Sequence, residues 1–255
     1  MPSRKTASGA PVAFGLIVVG DEVLIGGRSD AHLSHFRALL GQRGHTLAWH
    51  WLLPDEPSVL TDHLRFSMAR GAPVFVCGGI GSTPDDHTRA SAARAAGVTL
   101  ERHPEAVALI EGRFGDDAYP DRILMADLPA GCGLVPNQYN QIPGFRLSRH
   151  FFLPGFPRMA WPMAEWVLDE GFPAAAALLQ ELSVRVVGVP ESRLVPLMRR
   201  FGDRHKDCKL FSLPHIGEDP HILLGIRGRG DLRRSFAALC TELETERLQY
   251  FLSGS

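Results

Sequence analysis

One glycine-rich stretch decides the fold of this chain: residues 76–88 read VCGGIGSTPDDHT. The apolar residues 73–77 are typical of a buried strand. After the three glycines, Thr83 has the position of a helix N-cap, with Pro84 in the first helical position and Asp86 three residues after the cap. The stretch therefore predicts a strand, a tight glycine turn and a helix that begins at Thr83.

A glycine turn between a strand and a helix is suited to binding an anion. Glycines let the backbone approach a phosphate closely, and free N–H groups and the positive end of the helix dipole stabilise its charge. The glycine spacing differs from the dinucleotide-binding fingerprint, and no lysine follows the glycines as in a P-loop. The alternative is a tight turn in which the glycines and the cap serve chain geometry alone.

The segments on both sides of this turn alternate between strand and helix patterns. Upstream, residues 14–19 and 46–53 read as strands, and each is followed by a segment with helical periodicity. Downstream, helices are predicted at residues 104–114 and 159–167. A Pro- and Gly-rich region spans 120–157, with short strands predicted near residues 133–135 and 150–153. This alternation predicts an α/β fold, a three-layer and mostly parallel sheet with helices on both faces.

The chain divides into three parts. Residues 1–11 are polar and are expected to form a flexible tail. The α/β domain is predicted over residues 12–172, and the composition then turns to Pro and Ala. Residues 180–255 follow a β-α-β-β-α pattern, which predicts a small α+β domain.

The composition excludes several classes of protein. Apolar residues make up 45% of the chain and charged residues 22%, which rules out disorder or coiled coil as the main architecture. With 27 Lys and Arg against 28 Asp and Glu, no net field attracts nucleic acid or an anionic membrane. The four cysteines are scattered, and no apolar run reaches the roughly 20 residues of a membrane helix, so reduced thiols and a cytoplasmic location are expected.

Acidic residues follow each of the first three predicted strands. Asp21 and Glu22 follow the first strand, Asp55 the second and Asp86 the third. Because the carboxyl ends of parallel strands meet at one edge of a sheet, we expect these side chains to gather around one crevice. Carboxylates repel a bound phosphate unless a cation bridges them, so the pattern predicts Mg²⁺ or a similar divalent metal at Asp21, Glu22 and Asp86. The alternative for Asp55 is a plain helix cap.

Two further segments, residues 136–145 and 153–157, read PNQYNQIPGF and LPGFP. Their turn chemistry indicates rigid loops at the same edge of the sheet, although Pro-Gly pairs are equally common in ordinary turns.

Taken in order, these motifs resemble the molybdopterin-binding domain family, the MoaB/Mog fold, and most closely its CinA branch. The motifs that carry the resemblance are Gly20-Asp21-Glu22, Asp30, residues 54–56, residues 78–88, residues 128–131, Asn137, Pro143-Gly144 and residues 153–157. They cover roughly residues 13–170. The small domain that follows is similar to the KH-like segment of CinA-type proteins.

The resemblance implies a phosphate-bearing nucleotide or pterin as the ligand. In the Mog branch the fold binds molybdopterin and transfers adenylate to its phosphate, with acidic residues that match Asp55 and Asp86, the expected catalytic residues. In the CinA branch it is linked to metal-dependent hydrolysis of ADP-ribose-like pyrophosphates, and a related domain accompanies FAD synthases. The expected ligand-binding residues are Gly78, Gly79, Gly81, Ser82, Thr83, Asp85, Thr88, Asn137, Pro154 and Gly155.

Three functions stay open: a metal-dependent pyrophosphatase acting on ADP-ribose or FAD, a molybdopterin-binding or adenylating protein, and a non-catalytic nucleotide-sensing module. The sequence departs from the family at Asn140, which often is Gly, at Ser82, which often is Pro, and at His87, which often is aliphatic.

Residues 225–228, GIRG, have the letters of a KH clamp but follow a strand instead of joining two helices. We therefore expect a homo-oligomer that binds a small molecule and neither nucleic acid nor membrane.

Overall fold

The computed structural model describes residues 9–252, and the chain divides into two compact units, Met1–Ala176 and Ala177–Ser255. Most of the predicted tail, residues 1–8, lies outside the described residues. The last part of that tail is paired, because the Gly9 amide donates to the carbonyl of Ala174 at 2.9 Å. No helix within residues 9–252 is long and apolar enough to cross a membrane.

The first unit contains eight strands and six α-helices among its described residues. In chain order they are β1 (Ala13–Val19), α1 (Asp21–Leu24), α2 (His32–Gln42), β2 (Thr46–Leu53), α3 (Pro57–Ala69), β3 (Val74–Cys77), α4 (Thr88–Ala96), β4 (Leu100–Arg102), α5 (Pro104–Phe114), β5 (Asp127–Pro129), β6 (Gly133–Val135), β7 (Gly144–Leu147), β8 (His150–Leu153) and α6 (Pro157–Gly171). Short 3₁₀ turns at Gly115–Ala118 and Arg122–Ala126 connect α5 to β5.

The central sheet has the strand order β2-β1-β3-β8-β7-β6. Strands β2, β1, β3 and β8 run parallel, and β7 and β6 pair antiparallel at one edge. Alternate side chains of β1 enter two different cores: Ile17 faces a cluster with Leu64 of α3, and Leu16 faces a cluster with Phe36 of α2. This confirms the predicted mostly parallel α/β sheet with helices on both faces.

The register of the parallel strands brings their carboxyl ends to one edge of the sheet. Val19 at the end of β1 pairs with Leu53 of β2, and Cys77 at the end of β3 pairs with Leu153 of β8. The loop that leaves each of these four strands therefore starts at the same level, and ligands bind at such an edge in open α/β sheets.

The predicted helix start at Thr83 is wrong, because α4 begins at Thr88. The residues that resemble a capping box close a separate turn instead. The backbone N–H and the hydroxyl of Thr83 both donate to the carboxylate of Asp86, and the Asp86 N–H donates back to the Thr83 carbonyl. The capping chemistry is present, but the chain leaves helical geometry before it enters α4.

The second unit is a small α+β domain. Its elements are β9 (Leu179–Val186), a 3₁₀ turn (Glu191–Arg193), α7 (Val195–Arg204), β10 (Cys208–His215), β11 (His221–Arg229), α8 (Arg233–Thr245) and β12 (Tyr250–Leu252). The four strands form an antiparallel sheet in the order β10-β11-β9-β12. The predicted pattern lacks β12, which is only three residues long and adds an edge strand.

Residues 225–228 lie inside β11, so they do not form a clamp between helices. A Cβ on Gly225 would come within 2.5 Å of the Phe211 ring, which explains the glycine by sheet packing.

Candidate functional site

A cavity of about 440 Å³ opens where the carboxyl ends of β1, β2, β3 and β8 meet. Twelve of the residues singled out in the sequence lie on its wall: Glu22, Asp55, Gly78, Gly79, Gly81, Ser82, Thr83, Asp85, Asp86, Asn137, Pro154 and Gly155. Asp21 and Thr88 are not among the residues that line it.

The glycine turn after β3 is required by the fold itself. Gly78 and Gly79 have φ angles of 118° and 66°, where other residues are strained. A Cβ on Gly78 would lie 2.2 Å from the carbonyl oxygen of Val19, and one on Gly79 would lie 2.3 Å from the hydroxyl of Thr88. Chain geometry alone therefore accounts for these two glycines, and a ligand role needs separate support.

That support comes from the direction of the peptide groups. The Gly79 carbonyl accepts from the Thr88 N–H at 3.0 Å, and the Gly81 carbonyl accepts from the Arg89 guanidinium at 2.7 Å. In a trans peptide the N–H points opposite to the C=O, so the N–H groups of Ile80 and Ser82 point away from α4. Both residues line the cavity.

Four consecutive N–H groups, those of residues 79–82, have no hydrogen-bond acceptor anywhere in the described part of the chain. Successive unpaired N–H groups in a turn form a concave site for an anion. The turn can therefore bind a phosphate through its backbone alone.

Arg89, which the sequence did not single out, lies behind this turn. Its side chain donates to the carbonyls of Gly81, Leu124 and Asp127, and the residue is only 8% exposed. Burial lowers the pKa of the guanidinium, with the charges of Asp127 and Asp86 acting against that shift. A buried cation held mainly by carbonyl oxygens adds positive potential under the N–H groups. No local sequence pattern marks this arginine in the Ala-rich helix.

Thr88 was expected to contact the ligand, and the structure places it elsewhere. The residue is fully buried beneath Gly79, and its hydroxyl lacks a hydrogen-bond partner within the described residues. Its backbone N–H holds the Gly79 carbonyl, so Thr88 supports the turn from behind.

The carboxylates of Asp21 and Asp55 join the loops after β1 and β2. Asp55 Oδ2 accepts from the Asp21 N–H at 3.0 Å, and Asp21 Oδ1 accepts from the Asp55 N–H at 3.3 Å. Burial raises the pKa of the Asp55 carboxyl, and the nearby charges of Asp21, Glu22 and Asp85 raise it further, against the lowering effect of the backbone hydrogen bond. Asp55 is therefore a stronger base than an ordinary aspartate.

The predicted metal site at Asp21, Glu22 and Asp86 is not supported. Across residues 9–252, no group of three or more His, Cys, Asp or Glu side chains is arranged to hold a metal ion. The physical reason is that Asp21 is turned to the backbone of Asp55, and Asp86 is engaged by Thr83. These side chains do not fit a metal ion by themselves.

Part of the cavity wall carries amide and apolar side chains. Its members are Met125, Asn137, Asn140, Ile142, Pro143, Phe156 and Met159. Asn137 Oδ1 accepts from the Tyr139 N–H at 3.1 Å, and Asn140 Oδ1 accepts from the Ile142 N–H at 3.0 Å. Two side-chain-to-backbone turns therefore shape this wall.

Arg28, also on the wall, was not identified in the sequence. Its guanidinium lies 5.3 Å from the centre of the Phe156 ring at the mouth of the cavity. Among the described lining residues it is the one basic side chain, and it faces a wall that includes Glu22, Asp55 and Asp85.

The family model described as "Probable molybdopterin binding domain" matches residues 15–177. A CinA-like protein of Geobacter sp. (strain M21) is 34% identical over 194 residues, which cover 72% of this chain and 46% of the relative. A CinA-like protein of Myxococcus xanthus (strain DK1622) is 28% identical over 249 residues, which cover 91% of this chain and 58% of the relative. The chain thus spans about half the length of these curated relatives.

A solved structure has the fold of the first unit. The Thermoplasma acidophilum protein CinA, described as of unknown function, superposes with a TM-score of 0.57 at 23% identity, covering 62% of this chain and 98% of that one. The family model covers the segment that contains the cavity.

Proposed function

Since the chain belongs to the family of molybdopterin-binding domains, we propose that its cavity binds the phosphate group of a pterin or a nucleotide. The observation that carries this proposal is the pair of peptide groups whose carbonyls are held by Thr88 and Arg89, which directs the N–H groups of Ile80 and Ser82 toward the cavity. The family description favours molybdopterin, and the site chemistry serves any phosphate ester.

The strand order supports a defined orientation of the ligand. The carboxylates follow β1 and β2, the glycine turn follows β3, and Asn137 and Asn140 belong to the loop between β6 and β7. Strands lie about 4.8 Å apart, so β1 and β7 are roughly 14 Å from each other. A phosphate on the turn then has room on the side away from the carboxylates for an uncharged group.

The phosphate proposal is tested by deleting one N–H group. Ile80→Pro removes the N–H of residue 80, and Ile80→Val is the matched control that keeps it. A charge-assisted hydrogen bond contributes roughly 1.5–3 kcal/mol, so we expect Ile80→Pro to weaken pyrophosphate binding about tenfold or more and Ile80→Val to leave it unchanged. The dissociation constants are measured by calorimetric titration.

A thermal-shift series with pyrophosphate, ADP-ribose, FAD, NAD, ATP and molybdopterin ranks the ligands, because a ligand of the native state raises the melting temperature by mass action. If none of these phosphate-bearing compounds binds the wild-type protein, the proposed function is wrong. Equal affinities of the two Ile80 variants would show that the N–H of residue 80 takes no part.

A second candidate function, hydrolysis of a pyrophosphate bond, is favoured by the raised pKa of Asp55. In this step the carboxylate of Asp55 accepts a proton from water, the water oxygen bonds to phosphorus, and the bridging P–O bond breaks to release a second phosphate ester. The catalytic role that the sequence predicts for Asp86 belongs to this second candidate function.

The hydrolytic candidate predicts that wild-type protein releases AMP and ribose 5-phosphate from ADP-ribose, measured by chromatography. Asp55→Asn should abolish the release and retain binding, while Asp62→Asn, at an exposed carboxylate of α3 outside the cavity, should retain both. Binding without product release in the wild-type protein would leave a ligand-binding protein and exclude hydrolysis of ADP-ribose.

A further inference from the structure

We infer that Asn137 selects the uncharged head group of the ligand, and that this head group is a planar heterocycle with a hydrogen-bond acceptor on its edge. The inference rests on the proposed function, because it assumes that the phosphate of the same ligand lies on the glycine turn.

The starting observation is an unpaired donor at the cavity wall. Asn137 is only 5% exposed and lines the cavity, and its Nδ2 has no hydrogen-bond partner within residues 9–252. Buried polar groups without a partner are costly and rare in folded proteins. A donor kept unpaired at this wall indicates that its partner arrives with the ligand.

The orientation of the Asn137 amide is fixed by its neighbours. Oδ1 accepts from the Tyr139 N–H, which requires an oxygen at that position, so the buried group without a partner is the NH₂. The loop is also closed by the Gln141 N–H, which donates to the Asn137 carbonyl at 2.9 Å. Gln141 has a φ of 64°, an uncommon conformation for a residue with a side chain. The loop therefore holds the donor in one position.

The surroundings of this donor favour a flat apolar group. Ile142 and Met159 line the same wall, and the nearby Asn140 amide is engaged, with Oδ1 on the Ile142 N–H and Nδ2 on the Met159 sulfur at 3.3 Å. A bare sugar would leave several hydroxyl groups against apolar side chains without partners. A heteroaromatic ring buries its faces and presents a ring nitrogen or carbonyl to Asn137. Purines and pterins share this chemistry.

The test separates the head group from the phosphate by using ligands with and without a ring. Pyrophosphate is the ring-free probe, ADP-ribose carries a purine, and 6-hydroxymethylpterin diphosphate carries a pterin. Asn137→Asp keeps the acceptor for the Tyr139 N–H and replaces the donor by an acceptor. Its added charge acts differently on probes of different charge, so the uncharged variant Asn137→Ser separates the loss of the donor from the effect of the charge.

We expect Asn137→Asp to lower the ratio of ring-bearing to ring-free affinity tenfold or more for at least one ring-bearing probe. The probe that is affected identifies the heterocycle. Asn137→Ser, which loses the donor without adding charge, should change the ratio in the same direction. Unchanged ratios in both variants would overturn the inference. Failure of pyrophosphate to bind the wild-type protein while a ring-bearing probe still depends on Asn137 would overturn the phosphate site and leave the head-group site intact.

Discussion

The guanidinium of Arg89 donates to the carbonyl oxygen of Gly81 at 2.7 Å, from behind the glycine turn. This hydrogen bond holds the peptide group between residues 81 and 82 with its N–H pointing away from α4. The proposed phosphate site thus depends on a side chain that lies outside the motif.

Arg89→Lys should weaken both the fold and the phosphate site. Lysine cannot hold the carbonyls of Gly81, Leu124 and Asp127 at once, because its ammonium lacks the planar fork of arginine. We expect a loss of about 2–4 kcal/mol in the free energy of unfolding by urea titration and weaker pyrophosphate binding. Arg94→Lys, on the same helix, is the control, and equal effects of the two substitutions would contradict this role.

Gly79→Ala should destabilise the protein because of Thr88. The new methyl group would meet the Thr88 hydroxyl at 2.3 Å and would sit at a φ of 66°. We expect a cost of about 2–4 kcal/mol by thermal or urea unfolding, of which Thr88→Ala in the double variant restores the steric part. Strictly additive effects of the two substitutions would show that the contact is not the cause.

Thr83→Ala should affect a turn and leave α4 intact. The lost hydroxyl bond to Asp86 is exposed, so the expected decrease in the free energy of unfolding is at most about 1 kcal/mol. Helix content measured by circular dichroism should match that of the wild type. A clear loss of helix signal would restore Thr83 as the start of the helix.

Magnesium ions without a phosphate ligand should leave the melting temperature unchanged within about 1 °C. The described residues contain no group of three metal-ligating side chains, and the Asp21 carboxylate is engaged by the backbone of Asp55. Differential scanning fluorimetry across a magnesium titration checks this expectation. A saturable rise that disappears in Asp21→Ala would show that the carboxylates form a metal site.

Acidification should destabilise the protein through His150. Burial lowers the pKa of this imidazole from 6.5 to about 4. Between these values the unfolded chain binds more protons than the folded one, so the free energy of unfolding falls as the pH falls through this window. His150→Gln keeps an acceptor for the Ser67 hydroxyl and does not titrate. From pH 7 to pH 4, the free energy of unfolding of His150→Gln should fall by about 3 kcal/mol less than that of the wild type. A pH curve parallel to that of the wild type would contradict this account.

The strands of the parallel sheet could be predicted because each is a short apolar run bounded by turn residues. The predicted strand at residues 46–53 coincides with β2, and the helix at residues 104–114 coincides with α5. Strands β4, β5 and β7 were missed, because three or four residues carry too little periodicity to be distinguished from loop.

Only part of the candidate site could be predicted from the sequence, for a different reason. The motif residues Gly79 and Asn137 could be assigned to the cavity. Arg28, on the cavity wall, and Arg89, behind the glycine turn, are positioned by tertiary contacts that leave no trace in local sequence. The helix start at Thr83 was predicted wrongly because the hydrogen bonds of a helix cap can also close a single turn.

The pairing of β3 with β8 also has a kinetic consequence. The two strands are neighbours in the sheet, yet the whole chain from Gly78 to Arg149 lies between them. Closing so long a loop costs entropy before the ladder contributes any stability, so this pairing is expected to form late on the folding pathway. The glycine turn follows β3 and the loop at Gly155 follows β8. The cavity between these loops therefore forms only once the two strands have paired. A bound ligand should therefore slow the rate of unfolding and leave the rate of folding nearly unchanged.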